Sequence, residues 1–280
     1  MIVVKCGGAA GVDTAAVCRD LAALAAGGER LVLVHGGSAA TDALARRLGL
    51  PVRRMVAPSG ISSRRTDAAM LDVLLMAVLG TVKPALVAEL AGYGVRAVGL
   101  SGLDAGMVRC RRKRAVRALV DGRPTVVRDD RSGRIIAVDT APLRAVLAAG
   151  GLPVLSPPGL DEDDRPVNVD ADRMAAAVAA ALKAAHLVLL TAAPGVLADP
   201  ADPASLLGEY AVDTSPRSGI GGGMAVKLLA AGEALAGGVG AVTIAAGRGD
   251  RPVQRALRGA GTRIVWTDGP AHAGARGEDR

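Results

Sequence analysis

The sequence predicts an α/β fold, a three-layer αβα sandwich with an open, mainly parallel central sheet and an added β-hairpin excursion. The chain has 280 residues, of which 50% are hydrophobic and 22% charged, a balance typical of a globular protein with a sizeable core. Short apolar runs alternate with helical patterns, and such alternation implies parallel strands with helices on both faces. Three strand-to-helix junctions are rich in glycine, at residues 5–8, 35–38 and 221–227.

The predicted elements follow one another in a regular order. Strands are predicted at residues 1–6, 30–35, 95–100, 152–156, 186–191, 241–246 and 263–266, and helices between 66 and 91, at 141–149 and at 171–184. Residues 115–138 differ, because three short strands separated by the turns Asp121-Gly122 and Ser132-Gly133 predict the hairpin excursion. A glycine-rich entry at 219–223 leads into a further helix.

Capping residues mark the first two helices. Asp13 is the predicted N-cap of a helix that closes at Gly27 and Gly28. Ser38 is the predicted N-cap of the next helix, which extends to Leu48. Each glycine-rich junction therefore leads to a helix N-terminus, which favours negative charge.

The chain is basic and nearly free of aromatic residues. Its formal net charge is +7, its isoelectric point is about 9.9, and aromatic residues make up 1% of it, with no Phe. The basic excess favours an anionic partner or substrate, although a solvated basic surface would have the same composition. Single-stranded nucleic acids stack their bases on aromatic side chains, so we expect no nucleic-acid partner.

Cysteine and histidine are few and scattered. Cys6, Cys18 and Cys110 form no CxxC pair, and no signal peptide precedes them, so we expect reduced thiols and a cytoplasmic location. The histidines are equally dispersed, so we expect no metal site formed by protein ligands.

The apolar stretch at residues 68–90 is interrupted by charged residues and a proline. Asp72, Lys83, Pro84 and Glu89 lie within it. This pattern suits a buried, kinked helix better than a membrane span, so we expect no membrane partner.

Lysine is the rarer cation, which makes its positions informative. Only Lys5, Lys83, Lys113, Lys183 and Lys227 occur, and two of them, Lys5 and Lys227, lie beside glycine-rich junctions. An ammonium is a compact point charge suited to phosphate, and glycine lets phosphate approach backbone N–H groups, so these positions predict a phosphate site. The P-loop and GxGxxG fingerprints are absent, which argues against a P-loop enzyme and a Rossmann dehydrogenase.

A series of motifs carries a family resemblance. In order, they are VVKCGGA, LVLVHGGSA, SSRRTD, GLSGLD, VNVDADRMAA, LLTAAPGVL and GGGMAVKL. Over residues 1–266 the sequence resembles the amino acid kinases, and within them the acetylglutamate kinases and the amino-group-carrier-protein-dependent aminoadipate/glutamate kinases. The resemblance implies phosphoryl transfer from ATP, with Mg²⁺, to a side-chain carboxylate. It also implies an N-terminal lobe at 1–165 for the amino acid and carrier, a nucleotide-binding lobe at 166–268 and a disordered tail at 269–280.

The resemblance implies roles at the phosphoryl site. Lys5 and Lys227 match the family's two transition-state lysines, and Gly8 matches the loop that approaches the transferred group. Asp172 matches the aspartate that orients the two lysines, although Asp170 or Asp172 would also fit a simple helix cap. Because a carboxylate acceptor is already ionised near neutral pH, this chemistry needs no general base.

The amino acid and the nucleotide have separate matches. Gly36, Gly37, Arg64 and Asn168 match the substrate-binding residues, with Arg65 as the alternative to Arg64 if the register shifts by one. The nucleotide-binding match consists of Thr191, Gly195, Gly221, Gly222, Gly223 and Met224.

One segment departs from the family pattern. Relatives usually have Asp-Val where this chain has Ala192-Ala193. The departure keeps open a different class of protein, a non-catalytic nucleotide-binding regulatory module on the same fold.

A basic run distinguishes the two kinase groups. It consists of Arg109, Arg111, Arg112, Lys113, Arg114 and Arg117. The segment 99–138 that contains it resembles the carrier-dependent kinases more than the acetylglutamate kinases, and implies an acidic carrier protein that delivers glutamate or 2-aminoadipate on its C-terminal glutamate. A solvated basic face, a nucleic-acid patch and a free acetylglutamate kinase are the alternatives. The resemblance also implies a homodimer.

Overall fold

The computed structural model describes residues 1–8, 11–58, 60–120, 122–213 and 222–267. Its strands, in chain order, are β1 (Ile2–Cys6), β2 (Leu31–His35), β3 (Arg54–Val56), β4 (Ser62–Arg64), β5 (Ala97–Ser101), β6 (Val108–Arg112), β7 (Val116–Val120), β8 (Arg123–Val127), β9 (Gly133–Val138), β10 (Leu152–Ser156), β11 (Gly159–Leu160), β12 (Pro166–Val167), β13 (His186–Thr191), β14 (Glu209–Val212), β15 (Ala241–Ala246) and β16 (Thr262–Trp266). The helices are α1 (Thr14–Ala26), α2 (Ser38–Arg47), α3 (Ala68–Ala77), α4 (Lys83–Gly92), α5 (Ala141–Ala148), α6 (Ala171–Leu182), α7 (Gly222–Ala236) and α8 (Pro252–Leu257), with a π-helical segment at Val78–Val82 and a 3₁₀ turn at Asp104–Gly106. The predicted disordered tail lies outside the described residues.

A central sheet organises the described part of the chain. Its strand order is β14-β16-β15-β13-β1-β2-β10-β5, and neighbouring strands run parallel except β15 and β16. β1 pairs with β2 on one side and with β13 on the other, so one continuous sheet joins the N-terminal and C-terminal halves. The predicted fold class is confirmed, whereas the predicted division into lobes stays a prediction.

Two apolar layers cover the faces of this sheet. Val3 of β1 belongs to the layer formed with α5, α6 and α7, and the next residue, Val4, belongs to the layer formed with α1, α4 and α8. Strands buried on both faces are near-continuous apolar runs, as in LVLVH of β2. The absence of Phe leaves both layers to Ala, Val, Leu and Ile, with a few Met and Cys.

The hairpin prediction is right for two of its three strands. β7 and β8 pair antiparallel, and β3 and β4 complete their sheet. The third predicted strand, β9, instead pairs with β6 in a separate sheet with β11 and β12. This pairing places Ile135 and Val138 of β9 against the main core, where burial of apolar area favours them.

One of the two predicted caps is correct. The side chain of Asp13 accepts a hydrogen bond from Ala16 N and caps α1. Ser38 does not cap α2, because Gly37 occupies the N-cap position and Ser38 is the first helical residue. The Ser38 hydroxyl instead donates to the carbonyl oxygen of Gly8, 3.3 Å away, on the other glycine-rich loop.

The apolar stretch predicted as a kinked helix is continuous. α3 passes through the π-helical segment into α4, and Pro84 is the second residue of α4. Because Pro84 has no backbone N–H, the continuous helix lacks one hydrogen bond at this position. By length and composition, the helical stretch Ala68–Gly92 is the one in the described residues that could cross a membrane, and 39% of its apolar 18-residue window is buried inside the protein. Core helices of soluble proteins also have these properties, so the stretch is weak evidence for a membrane.

We predict that Asp20 is a main stabilising contact between the N-terminal and C-terminal parts of the chain. Its buried carboxylate accepts hydrogen bonds from Val253 N at 2.6 Å, Gln254 N at 3.0 Å and Gln254 Nε2 at 2.7 Å, at the start of α8. Asp20→Ala leaves these donors unpaired and should lower the free energy of unfolding by about 3 kcal/mol, measured by urea denaturation.

The control is Asp13→Ala, which removes the exposed cap of α1. This change should cost about 1 kcal/mol. Equal losses for the two variants would mean that the contact between α1 and α8 has no special weight.

Candidate active site

A cleft of about 990 Å³ lies where the parallel strands end. Gly8 after β1, Gly37 after β2 and Ala192 after β13 line it, together with Asp172 of α6 and Gly222 of α7. In open parallel sheets, ligands bind at the carboxyl ends of the strands and at the helix N-termini that follow them. The cleft has the location expected for the predicted phosphate site.

Two lysines and one aspartate form a buried ion-pair triad in the cleft. Lys5 Nζ is 2.8 Å from Asp172 Oδ1, and Lys227 Nζ is 2.8 Å from Asp172 Oδ2. The three residues are only 5%, 4% and 8% exposed for Lys5, Asp172 and Lys227, so each charge depends on its partner. The structure thus brings together ammonium groups from β1 and α7 that are far apart in the sequence.

The position of Asp172 follows from the start of α6. Asp170 is the N-cap, because its carboxylate accepts from Asp172 N at 2.9 Å and Arg173 N at 3.0 Å. Asp172 is therefore free to turn its side chain to the lysines. The sequence allows either aspartate to be the helix cap. In the structure, Asp170 caps α6 and Asp172 contacts both lysines.

The triad stays charged because its members stabilise one another. Burial lowers the pKa of Lys5, but the charge and hydrogen bond of Asp172, together with the charge of Asp170, outweigh burial and hold this pKa above its ordinary 10.5. Burial raises the pKa of Asp172, but Lys5 and Lys227 outweigh it and hold this pKa below its ordinary 3.8. Asp170, the N-cap of α6, is a second buried carboxylate beside the triad and also lines the cleft.

The two glycine-rich loops touch at Gly8. A Cβ atom at Gly8 would lie 2.4 Å from Gly37 N and 2.7 Å from the Gly36 carbonyl carbon, closer than real Cβ atoms approach. The Gly8 carbonyl oxygen accepts from Ala39 N at 2.9 Å, which ties the loops together. Glycine is therefore required at this position for the loops to approach each other and line one cleft.

Arg64 is held at the cleft by Asp42. Arg64 Nε donates to Asp42 Oδ1 at 2.8 Å, and Nη2 donates to the Ser38 carbonyl oxygen at 2.9 Å. The Arg64 side chain is only 8% exposed, so these contacts fix the plane of its guanidinium group. Arg65, the alternative, pairs with Asp129 at 2.6 Å and is not among the described residues that line the cleft.

Asn168 belongs to a polar network at the cleft wall. Its Nδ2 donates to Thr66 Oγ1 at 3.3 Å, and Thr66 N donates to the buried Asp130 at 2.9 Å. Arg131 N donates to the Thr66 carbonyl oxygen at 2.6 Å. The network joins the segment that carries Arg64 to the loop before β9 and holds Asn168 in the cleft.

The predicted nucleotide-binding residues separate into two groups. Thr191, Gly222 and Gly223 line the cleft, whereas Gly195 and Met224 are not among the described residues that do so, and Gly221 lies outside the described residues. A Cβ atom at Gly195 would lie 2.5 Å from Thr262 Oγ1, and Met224 packs against the main core.

Ala192 lies close to the first glycine-rich loop. A Cβ atom at Gly11 would lie 2.7 Å from the Ala192 side chain. The small residue therefore fits a close approach of the two loops.

Much of the predicted basic run is neutralised by the chain itself. Arg109 forms an ion pair with Asp164, and Arg114 with Glu162 at 3.3 Å, both acids lying in one exposed turn. The guanidinium group of Arg112 donates to the carbonyl oxygens of Asp130 and Arg128. The other members are exposed, and Lys113 lines the cleft.

Sequence analysis missed several residues around the cleft. Asp42 is 22 positions from Arg64, and Asp130 is 64 positions from Thr66, so no local spacing links them. Arg173 of α6 and Glu233 of α7 form a two-pronged ion pair that joins the helices carrying the triad. Arg54 and Arg134 also line the cleft.

Comparisons with known proteins agree on one family. The model of the amino acid kinase family matches residues 1–246. The LysW-aminoadipate kinase of Deinococcus radiodurans is 44% identical over 264 residues, 94% of this chain and 90% of that protein. The LysW-aminoadipate kinase of Thermus thermophilus is 42% identical over 94% of this chain and 99% of its own length. The acetylglutamate kinase of Symbiobacterium thermophilum is 39% identical, with 88% and 84% covered.

Solved structures share the fold. An N-acetylglutamate synthase from Neisseria gonorrhoeae, complexed with coenzyme A and N-acetyl-glutamate, matches with a TM-score of 0.72 at 27% identity, covering 94% of this chain and 59% of that one. The carbamate kinase of Giardia lamblia bound to AMP-PNP matches with a TM-score of 0.65 at 16% identity, covering 95% and 98%. The second similarity bears on the fold alone.

We predict that Asp172 stabilises the folded chain through its negative charge. Asp172→Asn removes the carboxylate that pairs directly with two buried ammonium groups and should lower the free energy of unfolding by about 3–5 kcal/mol at pH 7, measured by chemical denaturation. Because the pKa of Asp172 is lowered on folding, its stabilisation is present above about pH 3.8 and is lost as the pH falls further. The difference between the two proteins should therefore shrink between pH 4 and pH 2.

Asp250→Asn, at an exposed carboxylate, is the matched control and should change the stability little. A difference between wild type and Asp172→Asn that is the same at pH 7 and pH 2 would contradict the role of the charge.

Proposed function

Because the chain belongs to the amino acid kinase family, we propose that it phosphorylates the side-chain carboxylate of glutamate or 2-aminoadipate attached to an acidic amino-group carrier protein. The phosphoryl donor is ATP and the product is an acyl phosphate. The observation that carries the proposal is the Lys5–Asp172–Lys227 triad, buried in a cleft lined by glycine-rich loops. The relatives at 42–44% identity, named for LysW-aminoadipate, support the substrate class.

The residues of the triad suit phosphoryl transfer without an acid or a base. The acceptor carboxylate oxygen bonds to the γ-phosphorus of ATP while the bond from that phosphorus to the β–γ bridging oxygen breaks, and ADP leaves. Lys5 and Lys227 place positive charge where the transferring group gathers negative charge. Asp172 holds both ammonium groups in place, and the backbone of Gly8 and Gly37 approaches the same region.

Cations at the cleft favour an acceptor with more than one carboxylate. Arg54, Arg64, Lys113 and Arg134 line the cleft in addition to the triad. Arg64 is held by Asp42 and by the Ser38 carbonyl oxygen, and a guanidinium group fits a carboxylate in two-pronged geometry. We assign Arg64 to the α-carboxylate of the amino acid, with Asn168 beside it.

ATP fits the C-terminal side of the cleft. Thr191 and Ala192 after β13, with Gly222 and Gly223 at the start of α7, line that side, where the helix N-terminus favours phosphate. Mg²⁺ would come with the nucleotide, because the described residues contain no cluster of three His, Cys, Asp or Glu side chains. Asp172, the acidic residue of the triad, is already paired with the two lysines.

The basic run supports an acidic carrier. Arg111 and Arg117 are exposed. Arg109 and Arg114 are exposed as well, but they form ion pairs with Asp164 and Glu162. Surface ion pairs of this kind are weak and can be exchanged for contacts with a partner. Complementary charge on a small acidic protein would raise the rate of encounter at the cleft.

A second acceptor is free N-acetylglutamate. The observation in its favour is the 39% identity to the acetylglutamate kinase of Symbiobacterium thermophilum. The non-catalytic alternative has less support, because these relatives are kinases that match nearly the whole chain.

We propose a cytoplasmic homodimer that has no membrane or nucleic-acid partner. β5 is an edge strand of the central sheet, and Val98 within it and Tyr93 between α4 and β5 are apolar side chains that are 40% and 41% exposed. A second copy would cover them and the strand edge.

We predict that acceptor choice separates the two kinase readings. ADP release is measured with ATP and either N-acetylglutamate or a purified acidic carrier that bears glutamate or 2-aminoadipate on its C-terminal glutamate, and the acyl phosphate is trapped with hydroxylamine. Turnover should occur on the carrier and be at least tenfold lower on the free acetylated acid, because the carrier adds contacts and charge attraction.

The same assay tests the triad. Lys227→Met removes a charge from the transferring group and should lower kcat by about 10²-fold, while Lys183→Met, at the exposed end of α6, should leave kcat unchanged. Turnover on N-acetylglutamate alone would refute the carrier reading, and equal kcat values for the two variants would refute the role of the triad.

We predict that Asp42 controls acceptor affinity through Arg64. Asp42→Asn keeps the side-chain shape but weakens the contact that orients the guanidinium group, so the KM for the acceptor should rise about tenfold. The KM for ATP should stay constant, because Arg64 lies on the other side of the cleft from the proposed nucleotide site.

The control for this variant is Asp72→Asn on the exposed side of α3. If Asp42→Asn changes neither KM, or changes both equally, the assignment of Arg64 to the acceptor is wrong.

A further inference from the structure

His35 is a buried residue that the proposed chemistry does not use. It is the last residue of β2, it is 1% exposed, and it directly precedes the glycine pair that lines the cleft. Its Nδ1 lies 3.0 Å from the carbonyl oxygen of Gly36. Its Nε2 has no hydrogen-bond partner among the described residues.

The contact with Gly36 determines which ring nitrogen carries the proton. A carbonyl oxygen only accepts hydrogen bonds, so Nδ1 must be the donor. The opposite tautomer would face two lone pairs toward each other and would also bury an unpaired N–H at Nε2.

The imidazole is neutral near pH 7. Burial lowers the pKa of His35 to about 4, the Gly36 contact opposing this shift and the charges of Lys83 and Lys5 adding to it. A neutral ring has one N–H, and the carbonyl of Gly36 uses it.

The bond to Gly36 also fixes the direction of the next N–H group. The Gly36–Gly37 peptide is trans, so its C=O and its N–H point in opposite directions. Because the Gly36 carbonyl points to the buried His35, the Gly37 N–H points away from His35. Gly37 N is also the atom that would lie 2.4 Å from a Cβ at Gly8, so it faces the other cleft loop.

We call the hold of His35 on the Gly36–Gly37 peptide the peptide lock. It matters because glycine does not restrict the rotation of the peptide groups beside it. Two consecutive glycines can rotate the peptide between them at low cost, since neither has a Cβ to clash. The carbonyl of Gly37 is already held by Thr41, whose N and Oγ1 each donate to it at 2.8 Å. His35 supplies the corresponding hold on Gly36.

We propose that His35 is a positioning residue for phosphoryl transfer: it holds the Gly36 carbonyl on the buried side and thereby aims the Gly37 N–H into the cleft at the transferring group. The inference rests on the proposed kinase reaction. A backbone donor aimed at developing negative charge stabilises the transition state more than the bound substrates. The effect of losing this aim should therefore appear in kcat rather than in the KM for ATP.

Three variants of His35 separate positioning from packing. His35→Asn places an amide N–H near the position of Nδ1 and should keep kcat within about threefold of wild type. His35→Gln places its amide near the position of Nε2, and His35→Leu has no donor, so both should lower kcat by about 10²-fold with the KM for ATP unchanged. His186→Leu, at the start of β13 and the opposite end of the sheet, is the matched control and should keep the wild-type kcat.

The tautomer is tested on the wild-type protein by nitrogen-15 NMR. The His35 ring, assigned by its absence in His35→Asn, should carry its proton on Nδ1 at pH 7 and show no titration above pH 5. This measurement needs no substrate and no variant that folds poorly. It therefore tests the hydrogen bond from His35 to Gly36 even if His35→Leu does not fold.

The outcomes distinguish this inference from the proposed function. An Nε2–H tautomer, a His35 that titrates near pH 6.5, or a wild-type kcat in His35→Gln would overturn the positioning role while leaving the kinase reaction intact. Absence of turnover by the wild-type protein on both acceptors would overturn the proposed function, and the positioning role in transfer with it, whereas the tautomer would still report the peptide lock.

Discussion

A carboxylate buried between two ammonium groups is the constraint on which the rest of this structure depends. Asp172, Lys5 and Lys227 come from α6, β1 and α7, and none of the three can be buried without the others. The pairing of β1 with β13 in the middle of the sheet brings the N-terminal strand next to the C-terminal half, and α6 packs against β1. The sheet order is thus what makes the ion pairs geometrically possible, and the ion pairs fix the relative positions of two helices at the cleft.

The unusual composition serves the same geometry. α6 and α7 pack against each other, and both helices are rich in buried alanines, namely Ala175, Ala176, Ala179, Ala230, Ala231 and Ala234. Small residues let helix axes approach closely, which brings Asp172 within reach of Lys227 without large side chains between them. The ion pair of Arg173 with Glu233 joins the same helices next to the triad. A core without Phe is therefore compatible with a well-defined site, because closely packed helices leave no space that large side chains would have to fill.

Two kinds of feature can be predicted from the sequence: those set by local patterns and those marked by a rare residue type. The parallel strands follow from apolar runs that end in glycine, and Lys5 and Lys227 stand out because the chain otherwise uses arginine. The features that the sequence does not predict depend on contacts between distant segments. β9 pairs with β6 and not with β8, and Asp42 of α2 accepts a hydrogen bond from Arg64 of β4. Ser38 is the clearest example. Serine is a common helix N-cap, but the hydroxyl of Ser38 donates instead to the carbonyl oxygen of Gly8, 30 positions away. Strands of two or three residues, such as β11 and β12, are too short for periodicity to reveal.

Net charge alone would have given a misleading view of the cleft. Arg109 and Arg114 contribute to the +7 charge, but their side chains are 46% and 73% exposed and each is paired with an acid of one turn, so the field of each is screened by solvent and by its partner. Arg64 contributes the same unit charge, but it is buried, and Asp42 fixes its orientation. The field that an anionic group meets in the cleft therefore comes from a few desolvated cations whose directions are set by neighbouring carboxylates and carbonyls. Exposed arginines can attract an acidic protein from a distance, whereas the positions of the reacting atoms depend on the buried cations and on the backbone N–H groups of the two glycine loops.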